Sequence, residues 1–133
     1  MARRQHSWGR SEKYHARPRH LYALVFPGAV YIGQTVDLGK REAQHRSVAG
    51  GWNGKRFDLV HLGVCNGTHA QAAAYERAWR LSASRLGWKV YGLPPEVIVN
   101  PRRQASLRDV WRSYSLRWPG EAKRRWWARL RLV

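Results

Sequence analysis

The chain has 133 residues, which is enough for one domain with short extensions. Its 25 Lys and Arg stand against 8 Asp and Glu, and the net charge of +17 favours nucleic acid as a partner. A membrane surface is disfavoured because the basic residues are spread along the whole chain. The single Cys65 excludes an internal disulfide and a CxxC-type zinc site. With no membrane-length apolar stretch and no hydrophobic signal segment, we expect a cytoplasmic protein without membrane attachment.

Charge divides the chain into three zones. Residues 1–20 hold six basic residues and one acidic residue, and residues 21–100 hold nine and five. Residues 101–133 hold ten basic residues and two acidic ones. We therefore expect a basic N-terminal arm, a globular domain over residues 21–100, and a basic, Trp-rich helical extension at the C-terminus.

The stretch LYALVFPGAVYIGQT predicts a β-hairpin around its Pro-Gly dipeptide. A plain two-residue turn pairs Leu24 with Tyr31 and Tyr22 with Gly33. Cross-strand partners share a face, and side chains alternate faces along each strand. Tyr22 and Tyr31 should therefore lie diagonally on the same face of the sheet.

The next segment, DLGKREAQHRSV, predicts a short helix capped by Asp37. At 100° per residue, Arg41 and His45 share one face with Leu38 and Val48. These two polar residues are therefore expected to point toward the core.

A third strand and a long helix follow. In RFDLVHLGVC, alternation puts Phe57, Leu59, His61 and Gly63 on one face. The Ala-rich segment after it predicts a helix from near Thr68 to Gly87. Glu76 lies on the stripe of this helix formed by Ala72, Trp79 and Ala83.

The remaining segments predict a loop with a short extended piece over WKVYGLPPEVIVNP, then a helix capped by Ser106 and a last short helix. In the first of these helices we expect Trp111 and Tyr114 to pack in the core. For Trp126 and Trp127, packing and stacking on nucleic-acid bases both remain open. The element order predicts an α+β fold with a small antiparallel three-stranded sheet flanked by helices.

Polar residues from four elements are aimed inward, which is costly unless they satisfy one another. Taken singly, each has an ordinary explanation: strand packing, a solvated helix charge, or for Glu76 a pair with Arg80 one turn later. Taken together they suggest one site, formed by Tyr22, Tyr31, Arg41, His45 and Glu76.

This set resembles the GIY-YIG nucleases. The chain has LYA over residues 21–23 in place of the first motif, which lacks the leading Gly-Ile, and an intact YIG over residues 31–33. Arg41 and His45 match the family's residues on its first helix, and Glu76 matches its glutamate on a helix after the third strand. The resemblance covers about residues 21–91. Asn100 is the candidate for a family asparagine late in the domain.

The resemblance implies hydrolysis of phosphodiester bonds in DNA with one divalent cation, Mg²⁺ or Mn²⁺, held by Glu76. A tyrosine hydroxyl, of Tyr22 or Tyr31, would deprotonate the attacking water. Arg41 would lower the tyrosine pKa and grip the phosphate. His45 would orient a tyrosine or a water, or shuttle a proton.

We expect the nucleic-acid backbone to be contacted by Lys40, Arg46, Lys55, Arg56, Arg102 and Arg103. The main alternative is a non-catalytic, basic nucleic-acid-binding protein. A protein-interaction adaptor whose charge serves solubility is a third possibility.

Overall fold

The computed structural model describes residues 15–47, 51–52, 54–92, 95 and 97–120. The fold is α+β, as predicted: an open mixed sheet of five strands in the order β3-β1-β2-β4-β5, with helices packed on it. Within these residues, no helix is long and apolar enough to cross a membrane.

The predicted hairpin is formed by β1 (Arg17–Phe26) and β2 (Ala29–Thr35). Gly28 has a φ of 84°, which the second central position of a Pro-Gly turn requires. The predicted register is confirmed, with Leu24 opposite Tyr31 and Tyr22 opposite Gly33. β1 begins four residues earlier than expected, inside the proposed N-terminal arm.

Strand β3 (Asp58–Gly67) pairs antiparallel with the other side of β1. A shift in register separates Leu21, which faces Gly63, from Tyr22, which faces His61. The intervening residue of β3 forms a bulge, and the alternation of faces is reset there. The prediction that Gly63 shares a face with His61 was therefore wrong.

The expected three-stranded antiparallel sheet was also too small. The segment predicted as a loop contributes β4 (Lys89–Gly92), which runs parallel to β2, and β5 (Val97–Ile98), which is antiparallel to β4. Val90 is buried, and its carbonyl oxygen accepts a hydrogen bond from the backbone N–H of Val99. Both strands are shorter than the runs from which periodicity can be read.

Helices cover both faces of the sheet. Helix α1 (Leu38–Arg46) starts at its predicted cap, where Asp37 accepts from the backbone N–H of Lys40. Helix α2 (His69–Arg85) starts with a capping box at Thr68. Trp79 and Ala83 of α2 pack on one face of the sheet. The other face carries Tyr22 and Tyr31, and α1 packs against it through Leu38.

Two further helices, α3 (Pro101–Gln104) and α4 (Leu107–Ser115), follow the sheet. The predicted Ser106 cap is confirmed. The expectation that Trp111 and Tyr114 pack in the core was wrong: they are 72% and 69% exposed. Polar Asp109 and Ser113 face α2 instead.

Trp118, beyond the end of α4, does reach the core. Its ring meets Trp79 edge-on, with centroids 4.9 Å apart, and its Nε1–H donates to the hydroxyl of Ser82. The predicted last helix, with Trp126 and Trp127, and most of the predicted N-terminal arm lie outside the described residues.

Candidate active site

The centre of the site is a hydrogen bond between Tyr22 on β1 and His45 on α1. The Tyr22 Oη lies 2.6 Å from the His45 Nε2, and both side chains are buried. His45 reaches the sheet because it lies two turns from the Asp37 cap, on the side of α1 that faces β1 and β2. The sequence pattern therefore placed these two polar groups on facing surfaces, and the structure pairs them.

The glycine of the YIG tripeptide makes room for this pair. A Cβ on Gly33 would lie 2.5 Å from the Tyr22 Oη and 2.6 Å from its Cζ. Tyr22 faces Gly33 across the hairpin and is fully buried, so its ring cannot move aside at little cost. Glycine at position 33 is thus required by the tyrosine on the neighbouring strand.

Tyr31 on β2 is the second tyrosine of the same face. Its ring centroid lies 6.4 Å from that of Tyr22 and 5.5 Å from that of His45, which it meets edge-on. Trp52, in the segment after α1, lies against the Tyr31 ring, and the centroids of these two rings are 5.8 Å apart. Tyr31 is 8% exposed, so solvent reaches this group of rings only at its margin.

Arg41 provides positive charge beside both tyrosines. Burial raises the pKa of Tyr22 and of Tyr31, and the Arg41 guanidinium opposes this rise by stabilising the phenolate forms. The nearby charge of Glu76 acts in the opposite direction on both groups. The structure therefore holds both tyrosines neutral near pH 7 while a cation that stabilises their ionised forms lies beside them.

His45 is held in the neutral state. Burial, and then the positive charge of Arg41, lower its pKa to about 4. A neutral imidazole with its Nε2 at 2.6 Å from a phenol can accept the phenolic proton.

Glu76 belongs to α2, which packs on the face of the sheet opposite the tyrosines, and its charge acts on both of them. The Gln34 Nε2 donates to the Glu76 Oε2 at 3.5 Å and to the carbonyl of His69 at 3.2 Å. Burial raises the pKa of Glu76, while Arg80, the Gln34 hydrogen bond, and more weakly Arg77 and Arg41, lower it. The net effect of these groups is a Glu76 pKa above its usual value.

A divalent cation at this site would have one protein carboxylate, that of Glu76. Among the described residues, no group of three or more His, Cys, Asp and Glu comes together as a metal cage. Mg²⁺ commonly binds through one or two carboxylates, completed by water and substrate phosphate, whereas Zn²⁺ requires more protein ligands. The donors present therefore fit magnesium or manganese bound together with a phosphate.

The predicted backbone-contacting residues lie on the surface. Arg46 pairs with Glu42 at 2.9 Å, and its guanidinium lies 4.2 Å from the centroid of Phe57. Asn100 is the N-cap of α3, where its Oδ1 accepts from the N–H of Arg102. This capping role alone accounts for an asparagine at position 100. All six members of the set are exposed: Lys40, Arg46, Lys55, Arg56, Arg102 and Arg103.

Sequence reasoning missed four residues near these groups. Gln34, beside the YIG tripeptide, was not considered, although a polar residue next to a motif on a central strand was a usable signal. Arg80 was treated only as a surface partner, yet it is half-buried and has no hydrogen-bond partner at Nε within the described part. His20 and His61 were left aside, but the Nδ1 of the first lies 3.0 Å from the Nε2 of the second.

Comparison with known proteins adds no relative. No protein-family model, no curated protein and no solved structure matches this chain. Functional interpretation therefore depends on the residues of the site.

Proposed function

We propose that this protein is a metal-dependent endonuclease of the GIY-YIG type that hydrolyses phosphodiester bonds in DNA. The observation that carries the proposal is the buried Tyr22–His45 hydrogen bond, with Tyr31 packed on the same imidazole and the charges of Arg41 and Glu76 acting on both tyrosines. Such a group costs folding free energy and is typical of catalytic centres. Two tyrosines, an arginine, a histidine and a glutamate are the residue types that the family resemblance calls for.

In this proposal the Tyr22–His45 pair accepts the proton of the attacking water. Because Tyr22 is fully buried, substrate binding must first open a path to its hydroxyl; the water then transfers a proton to the Tyr22 Oη as the phenolic proton passes to the His45 Nε2. The low pKa of His45 keeps its ring neutral and ready to accept, and the anionic phosphate would raise that pKa when substrate binds. Tyr31 meets the His45 ring edge-on, with centroids 5.5 Å apart, and we assign it the positioning of the imidazole.

The remaining groups act on the phosphate. Arg41 binds the scissile phosphate and stabilises the charge that develops as the P–O bond breaks. Glu76 would hold Mg²⁺ or Mn²⁺, which would neutralise phosphate charge and stabilise the leaving oxygen. Gln34 orients the Glu76 carboxylate through its amide N–H.

The surface and the composition support DNA as the substrate class. The net charge of +17 suits a polyanion, and the exposed basic residues on α1, before β3 and on α3 would contact its phosphates. DNA rather than RNA follows from the family resemblance alone. A cytoplasmic location, away from membranes, is part of the same proposal.

Incubation with supercoiled plasmid tests the proposal directly. We expect nicked and linear products in the presence of Mg²⁺ and none when EDTA replaces it. Single-stranded, duplex and branched substrates compared side by side would then define the preferred substrate. Equal product in Mg²⁺ and EDTA, or none in either Mg²⁺ or Mn²⁺, would contradict a metal-dependent nuclease.

A non-catalytic nucleic-acid-binding protein remains the second candidate. It is favoured by the surroundings of Glu76, since the charges of Arg80, Arg77 and Arg41 all act on its carboxylate. These arginines could satisfy the carboxylate without a metal. Retention of DNA on the protein without cleavage in any divalent cation would favour this candidate.

A further inference from the structure

Helix α4 has its apolar side facing solvent. Leu107, Trp111 and Tyr114 recur at helical spacing and are 74%, 72% and 69% exposed. We refer to these three residues as the outer face of α4. A Leu-Trp-Tyr stripe of this kind normally faces the core, and its exposure marks a binding surface.

The orientation of α4 is fixed by polar contacts on its inner side. Asp109, 1% exposed, accepts from the Nε of Arg77 on α2 at 2.8 Å. The hydroxyl of Ser113, 2% exposed, accepts from Arg85 at 2.6 Å. These directional contacts hold the outer face away from α2.

A cavity of about 330 Å³ adjoins the outer face, between α2, α3 and α4. It has room for a group the size of a nucleobase, and its walls combine apolar side chains with two arginines and no carboxylate. The guanidinium of Arg85 lies 4.0 Å from the centroid of the Tyr114 ring. The lining residues are Leu81, Ser84, Arg85, Arg102, Val110 and Tyr114.

The charge around this surface is strongly positive. Over residues 101–120 there are five arginines and one carboxylate, that of Asp109, which is buried and paired with Arg77. Arg108 and Arg112 flank the outer face on the side away from the cavity. An occupant must therefore be an anion that also offers flat apolar surfaces.

We propose that the outer face of α4 and the adjoining cavity bind unpaired nucleotides of a nucleic-acid strand. Bases would stack on Trp111 and Tyr114 while the flanking arginines bind the phosphates. A duplex fits poorly, because stacking within it covers the faces of its bases. This inference rests on the proposed function and narrows its substrate to DNA with a single-stranded stretch.

Fluorescence anisotropy tests the proposal with a labelled oligothymidine of about 15 nucleotides, in EDTA so that no cleavage occurs. The variants are Trp111→Ala and Tyr114→Ala, and the control is Ile98→Ala, which removes a side chain that is 60% exposed on β5. We expect each α4 variant to weaken single-strand binding about tenfold, as loss of one stacked base does. Binding of a duplex of the same length should change less than twofold, and the control should match the parent protein.

Two results would overturn the proposal. One is unchanged single-strand affinity in both α4 variants, or an equal loss for the duplex. The other is a dimer that Trp111→Ala converts to a monomer without loss of DNA affinity, which would make the outer face a contact between copies. Because binding is measured without a divalent cation, a failure of the nuclease proposal leaves this test interpretable, and the reverse also holds.

Discussion

At the scale of single residues, the two tyrosines of the site are not equivalent. Tyr22 is fully buried and hydrogen-bonded to an imidazole at 2.6 Å, whereas Tyr31 packs edge-on against the same ring. Their positions in the sequence could not separate them, since both lie on one sheet face and precede an apolar residue. The identity of the proposed proton acceptor depends on a distance that only the folded chain defines.

Removal of each hydroxyl should separate the two roles. Tyr22→Phe deletes the proposed proton acceptor and should lower the cleavage rate by at least about a hundredfold. Tyr31→Phe keeps the ring that packs on His45 and should lose less. Because the first change also removes a buried hydrogen bond, we expect about 1 kcal/mol lower stability. Cleavage by Tyr22→Phe at the parental rate, measured on plasmid in Mg²⁺, would show that the Tyr22 hydroxyl is not the proton acceptor.

His45 should make stability depend on pH. Its pKa is lowered from 6.5 to about 4, so between these values the unfolded chain binds a proton that the folded chain does not. Stability from this group is therefore present above pH 6.5 and lost as the pH falls toward 4, by roughly 2 kcal/mol at pH 4.5.

Urea unfolding of the parent and of His45→Gln, across this pH range, isolates the contribution. Glu76, whose pKa is raised, contributes in the opposite direction, and it does so in both proteins. The difference between the two curves should therefore shrink as the pH falls from 6.5 to 4.5. A constant difference would show that the pKa of His45 is the same in the folded and the unfolded chain.

At the scale of elements, the hairpin was predictable in detail because a Pro-Gly turn and the alternation of side chains define its register. The bulge opposite Leu21 and Tyr22 was not, since it depends on how β3 fits against a strand already paired on its other side. Helix α4 shows the same limit. Its cap at Ser106 is local, but its orientation is decided by Asp109 and its distant partner Arg77.

The site followed the same division between local and distant signals. Residues at regular spacing on β1, β2, α1 and α2 could be identified from periodicity. Periodicity alone did not group Gln34 with them, because alternation puts it on the opposite face from Tyr31. Its place beside the YIG tripeptide was the one usable signal, and its contact with Glu76 depends on how α2 packs. The capping role of Asn100 could not be predicted for the same reason, since it depends on the short helix that follows it.

The hairpin offers a test of its own through Gly33. In Gly33→Ala the added Cβ would lie 2.5 Å from the Tyr22 Oη, so the buried ring must move away from His45. We expect a stability loss of about 1–3 kcal/mol and a cleavage loss similar to that of Tyr22→Phe. Gly63→Ala on β3 is the matched control, since its Cβ would meet nothing within 4 Å. Equal behaviour of the two variants in urea unfolding and cleavage would show that this close approach is unimportant.

At the scale of the whole molecule, charge should govern affinity. A truncation of the predicted N-terminal arm should end before β1, because Arg19 in that strand is buried and donates to the carbonyl of Gly67. Removal of residues 1–14 takes away four basic residues and one acidic residue and leaves the strand intact.

This truncation should weaken DNA binding and lessen its dependence on salt. Each phosphate contact that is lost removes about 0.9 from the slope of log K against log salt for duplex DNA, so the slope should fall by up to about 4. Cleavage at low salt should persist, because the five site residues remain. Parallel salt titrations for the two proteins would show that the first 14 residues do not contact DNA.

The central claim is that Glu76 holds a divalent cation for cleavage, and one substitution tests it most directly. Glu76→Gln keeps the length of the side chain and its helix propensity but removes the charge that binds Mg²⁺. Glu42→Gln is the matched control, because Glu42 pairs with Arg46 on the exposed side of α1. We predict that Glu76→Gln abolishes plasmid cleavage in Mg²⁺ while DNA binding is retained, and that Glu42→Gln cleaves as the parent does. Cleavage by Glu76→Gln at the parental rate would contradict the account.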